Sequence, residues 1–230
     1  MQTAITLILA ATCSLVLSTA SAASLTVADL SPGDLAITEF LANPVGVADS
    51  DAEYFEILNR RGAAVDLSGL VVRDDGSNSF TVTALTLDAG AFGVFSNGDG
   101  SALGLSVDYV YGSAMSLTNA ADEIMLAGAG DLELFRLAYS DGDVYGAGVA
   151  NELTTLTPGL SAAAEVDYRA ATAPLLLGNL GSPGAAGGTS LPAVPLPGAA
   201  WLLGSALACL AAMRRRPHCE LMAAGRSRRI

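Results

Sequence analysis

Turn-forming clusters break the chain between Ser24 and about Gly188 so often that no element there can be long. They are Ser31-Pro32-Gly33-Asp34, Asn43-Pro44, Arg61-Gly62, Asp74-Asp75-Gly76-Ser77-Asn78, Asn97-Gly98-Asp99-Gly100 and Ser140-Asp141-Gly142-Asp143. Each residue type turns for its own reason: Gly admits positive φ, Pro fixes φ, and Asn and Asp bond their own backbone. Between the clusters lie short runs with strand-like alternation, at 35–41, 54–59, 70–73, 80–83, 92–95, 123–127 and 132–139. No part of this body carries a sustained helical period with caps. Many short strands separated by such turns predict an all-β fold, a sandwich or a barrel. With 51% hydrophobic and 15% charged residues, the chain is too apolar for general disorder.

The strand at 54–59 has two predicted faces. Tyr54, Glu56 and Leu58 point one way and Phe55 and Ile57 the other, because side chains alternate along a strand. Phe55 and Ile57 are therefore expected in the core, and Glu56 on the polar side or at an edge. Asn43-Pro44 forces a break after the first strand. Asp66 and Ser68 can bond nearby backbone N–H groups, and Gly69 can take positive φ.

The two ends differ from this body. Residues 4–17 are apolar and are followed by Ala20-Ser21-Ala22, the pattern of a signal peptide over residues 1–22 with a small-residue cleavage site. Residues 178–193 are rich in Gly, Pro, Ala and Ser and read as a flexible linker. Residues 196–213 form an 18-residue stretch without charge, near the lower limit for spanning a bilayer, and Arg214, Arg215 and Arg216 follow at once. By the positive-inside rule those arginines stay in the cytoplasm with the tail 217–230, and the body lies outside. Trp201 near the outer boundary fits the interfacial preference of aromatic residues.

Charge and residue usage limit the chemistry of the body. All 11 basic residues of the chain are Arg. Before Arg214 there are 5 Arg against 22 Asp and Glu, a balance of −17. Such a surface repels phosphate backbones, so no nucleic-acid partner is expected. The body has no His, Cys or Lys; the three cysteines are Cys13, Cys209 and Cys219, and the one histidine is His218. Ser-His-Asp and Cys-His nucleophiles, Cys/His zinc sites and a P-loop therefore have no residues to be built from. No cofactor is expected, with one exception. Asp49, Asp51 and Glu53 alternate just after the Asn43-Pro44 turn, and carboxylates spaced in this way can converge on Ca²⁺. A pair of carboxylates could also hydrolyse glycosides, which leaves a glycan hydrolase as the rival to a non-enzymatic reading.

Several motifs carry a resemblance. An I-x-E-x-x-x-N-P strand and turn is formed by Ile37, Glu39, Asn43 and Pro44. Glu53, Tyr54, Glu56, Ile57 and Asn59 form E-Y-x-E-I-x-N, and Val65-Asp66-Leu67-Ser68-Gly69 precedes Asp74. Leu117, Asn119, Asp122, Ile124 and Leu126 continue the pattern. Together they resemble the lamin tail domain. The resemblance implies an immunoglobulin-like β-sandwich, expected over 33–177, on a secreted or cell-surface bacterial protein without catalytic activity. It implies binding or scaffolding.

At the other end, the order Val194-Pro195-Leu196-Pro197, apolar stretch, Arg cluster resembles the PEP-CTERM sorting signal in its VPLP variant. The resemblance implies an exosortase-type protease as processing partner. It also implies a membrane intermediate and a final place at the cell surface or in the extracellular polysaccharide, with permanent anchoring as the alternative to cleavage. Polysaccharide or surface proteins are the partners expected for the body.

Overall fold

The computed structural model describes residues 24–188. Their strands, in chain order, are β1 (Leu25–Thr26), β2 (Leu35–Leu41), β3 (Tyr54–Asn59), β4 (Val65–Asp66), β5 (Val71–Arg73), β6 (Ser79–Thr81), β7 (Thr86–Leu87), β8 (Phe92–Ser96), β9 (Tyr109–Val110), β10 (Asp122–Ala127), β11 (Glu133–Tyr139), β12 (Asn151–Leu153), β13 (Ala162–Ala164) and β14 (Tyr168–Ala170). The only helical elements among the described residues are three-residue 3-10 turns. The fold is all-β, as the turn spacing predicted. The seven predicted runs correspond to β2, β3, β5, β6, β8, β10 and β11 with ends within two residues.

Two large sheets face each other. One runs β14-β12-β2-β3-β8-β9, the other β13-β11-β10-β5-β6, and β1, β4 and β7 form a small third sheet. Phe40, Phe55, Ile57 and Phe95 from the first large sheet meet Ile124, Leu126, Phe135 and Leu137 from the second in one buried cluster. The ring of Phe40 on β2 stacks on that of Tyr139 on β11 at 4.9 Å, which ties the sheets together. This arrangement of facing sheets is consistent with the immunoglobulin-like sandwich that the resemblance implies.

Turn chemistry sets the connections. In the β5–β6 hairpin, Asp74 Oδ1 accepts from Asn78 N at 3.0 Å and closes the Asp-Asp-Gly-Ser-Asn turn. Ser68 N donates to Asp66 Oδ1 at 2.9 Å, and Gly69 takes φ +90°, as expected for the Asp-Leu-Ser-Gly corner.

The β2–β3 pair contains a bulge. Ile37 lies opposite Ile57, Glu39 opposite Glu56 and Phe40 opposite Phe55, with the register shifting between Ile37 and Glu39. Thr38 is the extra residue. Ile37 and Glu39 are two apart and would share a face in a regular strand, but the bulge puts them on opposite faces. Ile37, Phe40, Phe55 and Ile57 enter the inter-sheet core. Leu41 and Tyr54, which lie opposite each other, belong to a second cluster on the outer face, with Val94, Leu103, Ala150 and Ala171.

The boundaries of the folded unit differ from those expected. β1 precedes residue 33 and pairs in parallel with β4. Residues 178–188, expected to open the flexible linker, are packed instead: Asn179 is fully buried, and its side chain bonds Val45 N and O at 2.9 and 3.0 Å. Composition alone suggested a linker because Gly, Pro and Ser also build tight turns. The signal peptide 1–22, Val194, Pro195, Leu196, Pro197, the stretch 196–213, Arg214, Arg215, Arg216 and the tail 217–230 lie outside the described residues. Among the described residues no helix is long and apolar enough to cross a membrane.

Candidate functional site

Three glutamates stand side by side across three neighbouring strands of the six-stranded sheet. Glu152 on β12 is opposite Glu39 on β2, and Glu39 is opposite Glu56 on β3. Directly opposed side chains on adjacent antiparallel strands have Cβ atoms about 4.5–5.5 Å apart. All three are buried, at 1%, 1% and 3% exposure for Glu39, Glu56 and Glu152. Acids are almost never this buried unless paired, so their partners decide what the row can do.

The partners come from the sheet and from residues 182–188, which lie over the row. Glu39 Oε1 accepts from the Tyr54 hydroxyl and from Ser182 N at 2.9 Å, and Ser182 Oγ lies 2.8 Å from Glu39 Oε2. Thr38 Oγ1, on the bulge, lies 2.5 Å from Glu56 Oε1, and Gly184 N donates to Glu56 Oε2. Glu152 Oε2 pairs with Arg169 Nη2 at 3.0 Å and accepts from Gly188 N at 3.2 Å, while Ser182 Oγ lies 2.8 Å from its Oε1. Burial pushes the carboxyl of Glu39 up, against hydrogen bonds from the Tyr54 hydroxyl and the Ser182 backbone N–H that lower it. Burial also pushes Glu56 up to about 8, and the neighbouring Glu39 charge adds to the rise. Among the described residues the row has one ion pair, that of Glu152 with Arg169.

The backbone of the covering segment comes close at Gly181 and Gly187, where a Cβ would collide with a hydroxyl, and takes φ +85° at Gly184. A Cβ on Gly181 would collide with the Tyr54 hydroxyl and stand 2.8 Å from Glu39 Oε1. Gly181→Ala is therefore expected to destabilise the protein by about 1–3 kcal/mol, the range for overpacking a filled site. Urea unfolding checks this, and a midpoint equal to wild type would mean that the segment does not sit tightly.

Asp49, Asp51 and Glu53 are not gathered as a ligand set. Asp49 and Asp51 lie on a 3-10 turn (Asp49–Asp51), with Asp51 exposed. Asp49 Oδ2 accepts from Asn119 Nδ2 at 3.1 Å. Glu53 points inward, and its Oε2 accepts from Asn97 Nδ2 and Leu117 N, both at 3.0 Å. Burial pushes Glu53 up to about 7. Among the described residues no group of three Asp, Glu, His or Cys side chains could hold a metal ion. The backbone turns at Asp49–Asp51, and Glu53 ties the loops that carry Asn97 and Leu117 to the start of β3.

The glutamate row itself was not foreseen. Glu39 and Glu56 each interrupt an otherwise apolar strand, LAITEFL and YFEILN, and a lone acid inside such a run is a signal that the second face is covered. Glu152 and Ser182 give no such sign. The buried row holds chain segments together.

Comparison with known proteins gives one family: the sequence model of the Lamin Tail Domain matches residues 29–143, half of the chain. A search of curated proteins finds no match. The matched span includes β2 and β3 but stops before β12, which pairs with β2 and supplies Glu152.

Proposed function

The chain belongs to the lamin tail domain family, an immunoglobulin-like and non-catalytic family, and on that premise we propose that it is an exported surface or matrix protein whose sandwich binds or scaffolds. The observation that carries the non-catalytic part is the use of the buried carboxyls. The acids best suited to proton transfer are spent on seating residues 182–188. Export is supported by the apolar run ending in Ala20-Ser21-Ala22. Processing or anchoring is supported by the order Val194-Pro195-Leu196-Pro197, uncharged stretch, Arg214-Arg215-Arg216. The partners that fit are an exosortase-type protease at the sorting motif and extracellular polysaccharide or surface proteins at the body.

Intact-mass analysis of protein recovered from the medium tests this reading. The expected species lacks residues 1–22 and everything after about Pro197. Peptides containing Cys209 in the secreted fraction would rule out cleavage, and a mass retaining Met1 would rule out the signal peptide.

A further inference from the structure

We propose that residues 182–188 form a proton-locked strap, seated on the row Glu152, Glu39, Glu56 while Glu39 keeps its proton and lifted when that proton is lost. The inference starts from counting protons at Ser182. Its Oγ lies 2.8 Å from Glu39 Oε2 and 2.8 Å from Glu152 Oε1. A hydroxyl has one proton to donate and lone pairs to accept with. Both short contacts are hydrogen bonds only if one of the two carboxyls is protonated and donates to Oγ. Glu152 is the ion-paired member, with Arg169 Nη2 at 3.0 Å, so the proton sits on Glu39. The chain of bonds then runs from the Glu39 carboxyl to Ser182 Oγ, and from the Ser182 hydroxyl to the Glu152 carboxylate and Arg169.

The charged and titratable groups around Glu39 favour this arrangement. Glu56 and Tyr54 face it from β3, Glu152 from β12 and Arg169 from β14, while the strap itself brings no charge. Burial of Glu39 pushes its carboxyl up in the same sense. With all three glutamates ionised, the row would hold three negative charges out of water with one ion pair, and one contact of Ser182 Oγ would set a lone pair against an anion. Lifting the strap lets water reach the charges. Little else holds it: the bonds from Ser182, Gly184 and Gly188 to the rest of the body end on these carboxyls. Release also changes reach. Six residue steps lead from Gly188 to Val194 and span at most about 20 Å, whereas the thirteen steps from Gly181 span about 45 Å.

Hydrogen exchange of the full chain in detergent micelles, between pH 6 and pH 9.5 and corrected for intrinsic rates, tests the lock. Protection of the amides of Ser182, Gly184 and Gly188 is expected to fall about tenfold per pH unit above the Glu39 titration and to lie well below that of β3 and β8 at every pH, because the strap opens without the sheet. Constant protection of the strap overturns the proposal. So does strap protection equal to that of β3 and β8 across the range, which would mean that the strap opens only in global unfolding. Glu39→Gln places an amide donor toward Ser182 Oγ and is expected to keep the strap protected to pH 9.5; a folded variant that loses protection as wild type does also overturns the lock. The wild-type titration is decisive whether or not that variant folds.

Discussion

Phe55→Ala is expected to destabilise the protein by about 3–5 kcal/mol, the range for removing a buried aromatic ring from a packed core. Phe55 is fully buried on β3, between Phe95 at 5.2 Å and Tyr111 at 5.8 Å, both stacked on it. Its removal would leave a cavity bordered by rings that cannot collapse without breaking their own contacts. Ile57→Ala on the same face is expected to cost about 2–5 kcal/mol. Chemical denaturation of each variant measures the loss, and a value below about 0.5 kcal/mol, that of an ordinary surface change, would mean the faces of β3 are assigned wrongly.

Stability is expected to fall as pH rises from 5 to 9, by an amount on the order of several kcal/mol. Glu39, Glu53 and Glu56 have folded-state carboxyls pushed up by burial, Glu53 to about 7 and Glu56 to about 8. Between the ordinary value of 4.5 and these raised values the folded state binds more protons than the unfolded state. Their contribution is thus fully present below the unfolded value and is lost as pH rises through 7 and 8. Exposed acids limit the other side: Asp29 is held low by the Thr26 backbone N–H, and Asp66 and Asp99 by the hydroxyls of Ser68 and Ser101. What they contribute is lost as pH falls below the ordinary carboxylate range. Urea midpoints at pH 5, 7 and 9 with matched ionic strength give the answer, and a flat or rising profile would show that the buried carboxyls are ionised throughout.

The long strands were legible because their signals are local. Alternation and flanking turns locate β2 and β3 to the residue, and Phe55 and Ile57 lie where the alternation puts them. Glu56 lies on the face expected of it, away from Phe55 and Ile57, but that face is buried and not solvated. What buries it is Gly184, which is remote in sequence and belongs to a segment whose composition matches a linker. β12 is three residues long, too short to show a period, yet it lies between β14 and β2 and carries Glu152. The row therefore depends on strand order, which no local pattern encodes. The acids at 49, 51 and 53 have a local spacing, and the structure puts Asp49 and Asp51 on a 3-10 turn while Glu53 bonds Asn97 and Leu117.

The offset at Thr38 also governs where this strand can change length. Adding or removing one residue in a ladder ordinarily exchanges interior and exterior for everything beyond it. Loss of Thr38 would do the reverse. Ile37 and Glu39 would become neighbours in plain alternation, each keeping the side it now has opposite Ile57 and Glu56. Loss of Ile37 would bring the Thr38 hydroxyl inward opposite Ile57, and loss of Phe40 would bring the Glu39 carboxyl inward opposite Phe55. Position 38 is thus the one place along β2 where a deletion leaves the pattern of sides intact, at the expense of the hydroxyl that Thr38 offers to Glu56.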